Sequence, residues 1–175
     1  MAGTLTVMAT IFGVLFYSYF YLRVYSPEWP QGQLPVPDLL KPGLTYGVLL
    51  GSGGLLFFGQ QFQKGLLPIL SLLGCTVMGI IAGALILMES VQSGFAPQLN
   101  AYASLFHTII WHMTALIFFG LAMLVSSLLH LIRNGDGAVS GTLILHRQIT
   151  ALAWYFTLVI AALVFATLYL SPRLF

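Results

Sequence analysis

The chain has 175 residues, of which 59% are apolar and only 6% charged, with a net charge of +2. A soluble domain carries about 25% charged residues and could not cover its surface with so few. The composition therefore describes an all-α integral membrane protein, and a charge of +2 is too small to suggest nucleic acid.

Apolar stretches long enough to cross a ~30 Å hydrocarbon layer recur along the chain. The first runs over about residues 4–25 and carries no charge before Arg23. It lacks a basic lead and a small-residue cleavage site, so it reads as a retained span rather than a signal peptide. Aromatics from Phe16 to Tyr21 sit beside Arg23, as amphipathic rings and a snorkelling cation do at a membrane interface. Ser26, Pro27, Glu28, Trp29 and Pro30 then stop the helix, and Pro35, Pro37 and Pro42 keep the linker extended.

The second span is expected over about residues 43–62. Gly47, Gly51, Gly53, Gly54 and Gly59 interrupt it, and the Gly47–Gly51 pair suggests close helix packing in lipid. The third follows at about 66–88, with Pro68 in its first turn and Glu89 closing it. A carboxylate at that end of the helix dipole needs a cation or water. The single cysteine, Cys75, has no partner in the chain and reads as a small hydrophobe.

The fourth span, about 103–132, is longer than a bilayer requires and should tilt or project. It opens on Asn100 and aromatics and contains His107 and His112. A polar connection from Arg133 to Ser140 leads to the fifth span, about 148–171. Five spans place the termini on opposite sides. Lys64, Arg133 and Arg147 with Asp136 fall on one side, and Arg23, Lys41 and Arg173 with Glu28, Asp38 and Glu89 on the other. The basic counts tie; the fewer acids on the first side lean toward a cytoplasmic N-terminus.

Membrane cytochromes b hold haem between histidines on facing helices, so each histidine is a candidate axial ligand. His112 and His130 lie 18 residues apart, about 27 Å along the axis, near opposite leaflets. His130 and His146 share one side and form a conceivable pair, though both flank a polar loop. His107 and His112, five apart, point about 140° away from each other and do not chelate one metal. No nucleophile with its base, phosphate-binding loop or paired intramembrane carboxylate is present. Glycine-rich faces and His112, expected to be buried mid-helix, point to an accessory subunit with protein partners. Arg23 and its aromatics suit a phospholipid headgroup as well as ordinary snorkelling.

These residues carry a family pattern. Tyr19 to Arg23 with Ser26 to Pro30, Phe95 to Phe106, the Trp111–His112 pair with Gly120, and Ala151 to Tyr155 with His146 eight residues before Trp154 stand in order along the chain. Together with Glu89, they resemble subunit III of the haem–copper oxidases in its short, five-helix bacterial form. Met8, Thr150, Thr157 and Ile160 occupy places where that family usually has an acid, an acid, a histidine and an aspartate, marking a divergent member. The resemblance implies one domain over residues 1–175. It further implies a subunit without cofactors of its own, which packs on catalytic subunit I and subunit II, where haem and copper reside. It would bind phospholipid and help keep the catalytic subunit active. Candidate lipid or subunit contacts are Arg23, Trp29, Glu89, His112, His146 and Trp154. The missing carboxylates leave open a nitric oxide reductase complex; a small cytochrome b is the remaining alternative.

Overall fold

The computed structural model describes residues 2–34, 37–62, 65–134 and 141–174. The expectations for Pro35, Lys64 and Asp136, and for most of the connection before Gly141, lie outside the described residues. Five long helices follow one another: α1 (Ala2–Tyr25), α2 (Leu40–Gln60), α3 (Leu66–Gln92), α4 (Ala101–Asn134) and α5 (Gly141–Phe165). Beyond α5, a π-helical turn (Ala166–Leu170) and a last turn, α6 (Ser171–Leu174), extend the same rod. Among the described residues there is no strand, and all five rods are long and apolar enough to span a membrane. The chain is a multi-pass membrane protein with an all-helical fold.

The spans fall where apolar runs predict them, but three boundaries move. The third helix does not close at Glu89; it continues to Gln92. The second begins at Leu40: Asp38 accepts the backbone N–H groups of Leu39 and Leu40 at 2.8 and 3.3 Å, and Pro42 falls in the first turn, where its missing N–H is harmless. The fifth begins at Gly141, seven residues before the expected start, so His146 and Arg147 lie within a helix and not in a loop. Arg147 reaches across to the carbonyls of Gly59 and Phe62, at 3.2 and 3.3 Å, near the C-terminus of α2. A cation is favoured at that end of a helix, which allows this polar stretch to stay helical.

Helices α2, α3, α4 and α5 form a closed ring, each packing on the next and α2 returning to α5; α1 leans on the outside against α4 and touches α5 only lightly. Tight contact in the ring comes from glycines, though not from the expected pair. A methyl group on Gly47 would meet nothing, and one on Gly51 would touch only Met78. Close approaches fall instead at Gly53, Gly59, Gly79, Gly83 and Gly120. The small-xxx-small spacing shows where helices can approach; it does not show which face meets a neighbour.

Candidate functional site

The side chain at the centre of the ring is Trp154, expected at a lipid or subunit contact and found wholly enclosed. Its indole N–H donates to the Ser52 hydroxyl on α2 at 3.0 Å. Its ring lies over Gly79 of α3 and Gly120 of α4, where an added methyl carbon would come within 2.7 Å of it. Three helices thus close on one ring from α5. In lipid, dispersion contacts of this kind hold helices together, because moving apolar surface out of the bilayer gains little. Thr157, one turn further, returns its hydroxyl to Ala153 at 3.0 Å, and Thr150 reaches Met123 across the ring at 3.4 Å. Ile160 is buried, and Met8 is partly buried against the core. Where the resemblance leads one to look for ionisable groups, the structure has short polar side chains bonded to backbone, or hydrocarbon.

One end of the bundle is tied by aromatic and polar groups; it is called the Trp29 end. Trp29, in the loop after α1, donates from its indole to the Tyr19 hydroxyl at 3.0 Å. It stands edge-on to Tyr19 and to Tyr102 of α4, each with ring centres 5.1 Å away. Arg23 donates to Ser171 at 2.5 Å, and Ser171 donates to Tyr19 at 3.4 Å. Arg173 donates to the carbonyls of Tyr169 and Pro37. Asn100 caps α4 by accepting the Ala103 N–H at 2.8 Å, and its amide donates to the Gln31 carbonyl at 2.8 Å. The sequence placed Arg23 and Trp29 at one interface; the structure adds that both face inward partners.

The two histidines of α4 part company. His107 is buried. Its Nδ1 lies 2.9 Å from the Ala103 carbonyl, which can only accept, so Nδ1 carries the proton. Its Nε2 lies 3.2 Å from the Ser93 hydroxyl, and Phe95 stands edge-on to the ring. His112, expected inside the bundle, is exposed on the outer face of α4. Its Nδ1 is 2.8 Å from the Thr108 carbonyl, which fixes the proton there and leaves Nε2 as an outward acceptor. Neighbouring Trp111 is also exposed, but donates to Ser90 of α3 at 2.9 Å. The five-residue spacing predicted the divergence of the two histidines; which of them faces inward followed from where α3 and α5 pack.

At the opposite end, His130 and His146 meet edge-to-face with ring centres 4.9 Å apart, and His146 Nε2 lies 3.3 Å from the Ser126 hydroxyl. Two axial imidazoles on one haem iron need metal–nitrogen bonds of about 2 Å on each side, with the porphyrin plane between them. The direct ring contact leaves no gap for that plane. Cys75 is buried and unpaired by disulfide.

Glu89 is partly buried, and its expected surroundings sharpen into a cavity. The carboxylate lies with Asp38, Lys41, Gln92, Phe95 and Phe106 around a space of about 530 Å³ that opens at the Trp29 end. No local pattern signals this cavity, because its walls come from the start of α2, the end of α3 and the approach to α4. Fold and site together define a five-helix membrane bundle whose described polar groups mostly close the bundle on itself, with His112 facing outward and a charged cavity left at the Trp29 end. Compared with known proteins, the chain matches no family model and no curated sequence.

Proposed function

We propose that this chain is an accessory subunit of a respiratory haem–copper terminal oxidase, in the manner of its subunit III. On this reading it sits in a bacterial inner membrane with its N-terminus in the cytoplasm. It packs on the catalytic subunit, which holds the haem and copper and couples oxygen reduction to proton translocation, and it binds phospholipid at the Trp29 end near Arg23. The ordered pattern of motifs in the sequence suggests the family. The observation that carries the accessory role is His112. It stands eleven residues beyond Ala101 in a helix of 34. With that helix centred in the bilayer, His112 lies about 6 Å inside the hydrocarbon boundary. A bare acceptor nitrogen facing lipid at that depth is disfavoured, whereas a donor on a neighbouring transmembrane helix satisfies it.

Purification through a tag on this chain in mild detergent, with identification of what accompanies it, tests the proposal. Recovery of an oxygen-reducing haem–copper catalytic subunit supports it. A nitric-oxide-reducing partner would move the chain to that branch, and no haem–copper partner at all would refute both. A Soret absorbance band that tracks this polypeptide alone would show a cytochrome instead.

A further inference from the structure

At the end opposite Trp29, His130 and His146 converge from two helices at a place where the packing of the ring does not require them. His130 is exposed on α4, and His146 is partly exposed on α5. Their ring centres stand 4.9 Å apart, with the ring planes at 67°. A neutral imidazole keeps one nitrogen lone pair, so the two rings together offer two donor atoms to an ion. The contact that shuts out a porphyrin plane suits a bare ion. Metal–nitrogen bonds of about 2.0–2.1 Å at tetrahedral angles set the centres of two bound imidazoles roughly 5 Å apart. The rings already stand at that separation.

Orientation and surroundings narrow the occupant. Ser126, one turn before His130 on α4, has its hydroxyl 3.3 Å from His146 Nε2. By accepting the Nε2 proton it selects the tautomer that leaves the lone pair on Nδ1. Ligating imidazoles commonly give their other N–H to such an outer partner, which holds the ring for the metal. The described acids Glu28, Asp38 and Glu89 belong to the Trp29 end, and no third histidine, cysteine or acid joins the pair among the described residues. Calcium and magnesium need several oxygen ligands, whereas imidazole suits zinc, copper and nickel. Arg147, beside His146, is taken up by the carbonyls of Gly59 and Phe62, and Arg133 is exposed. With both rods centred in the bilayer, His130 on α4 and His146 on the α5 rod stand about 2–4 Å outside the hydrocarbon boundary. An ion reaches them from water.

We propose that His130 and His146 form a two-histidine site for a divalent transition-metal ion of the zinc and copper class, with Ser126 orienting His146. The ion bridges the last turns of α4 and the first turns of α5, so it acts as a removable clamp on that end of the ring. Two protein ligands leave the other positions to water, and the ion therefore exchanges with the medium, unlike a closed structural zinc site. The site does not depend on which complex the chain joins.

The full chain in detergent, freed of any polyhistidine tag and stripped with a chelator, is titrated with zinc chloride and melted. Zinc at a hundredfold excess over its dissociation constant is expected to raise Tm by roughly 5–10 °C, reversibly on chelation, while magnesium leaves Tm unchanged. His130→Ala, at an exposed position that tolerates change, should abolish the zinc shift, as should His146→Ala. Ser126→Ala should weaken zinc about tenfold. Copper(II) bound to the wild-type chain should show two nitrogen couplings in its electron paramagnetic resonance spectrum, and one in His130→Ala. No zinc shift in the wild-type chain overturns the site. A full shift in a His130→Ala chain overturns it as well, as does a single nitrogen coupling in the wild-type copper spectrum. Unchanged zinc affinity in Ser126→Ala would remove the serine from its orienting role.

Discussion

The α2–α5 ring and α1 are held by different means. About 11% of the most apolar stretch of α1 is buried, against 50% for the span built from α5 and its extension. The ring is locked along its length by shape, with Trp154 seated over Gly79 and Gly120 and bonded to Ser52. The first helix is secured chiefly at one end, through Trp29, Tyr19, Arg23 and Ser171. The difference follows from the solvent. Apolar side chains are content in hydrocarbon, so a helix need not bury its surface to be stable there; only close steric fit or hydrogen bonds draw it to a neighbour. A helix held in this way remains available to lipid or to another subunit.

Breaking the ring should therefore cost most. Trp154→Ala empties the centre and removes the donor to the Ser52 hydroxyl, with an expected loss of about 3–5 kcal/mol in unfolding from mixed micelles. A loss below about 1 kcal/mol would show that the ring is not the rigid body described. Gly120→Leu drives a side chain against the same indole and should cost about 1–3 kcal/mol by the same assay. His107→Ala removes a buried, doubly bonded imidazole and is expected to cost about 1–3 kcal/mol. Arg23→Ala tests the tether. It should destabilise the chain by only about 1 kcal/mol while exposing the end of α1 to proteolysis and loosening phospholipid bound there. Unaltered proteolysis and lipid retention would remove Arg23 from both roles. His112→Ala should change the isolated chain least, within about 0.5 kcal/mol. Its effect is expected in the recovery of the partner subunit, and recovery equal to wild type would dismiss the outer face of α4 as the contact.

Much of the fold was legible in one dimension. Runs of apolar residues, ended by Ser26 to Gly32, by Gln60 to Gly65, by Glu89 to Asn100 and by Arg133 to Ser140, give five spans and their order, because a backbone in lipid has to satisfy its own hydrogen bonds and the helix does so locally. Asn100 reads correctly as the entrance to α4, since a capping amide acts within three residues of itself. The early start of α5 was not legible: the apolar pattern starts the span only at Gln148, and the proximity of α2's last carbonyls makes Arg147 at home in a helix.

The candidate site divides along the same line. Sequence spacing alone determined that His107 and His112 diverge, because helical geometry fixes the angle between them. Which histidine is buried, which glycines meet a ring, and that Trp154 lies at the centre rather than on the surface were decided by tertiary structure. A rotation of α4 about its axis would preserve every local feature and exchange these roles. The cavity beside Glu89 is wholly a tertiary product, since Asp38, Lys41, Glu89 and Phe106 come from segments far apart in the chain. In lipid, hydrophobicity marks which segments cross the membrane, but it is nearly the same on every face of a span, so steric fit and hydrogen bonding select the face that turns inward.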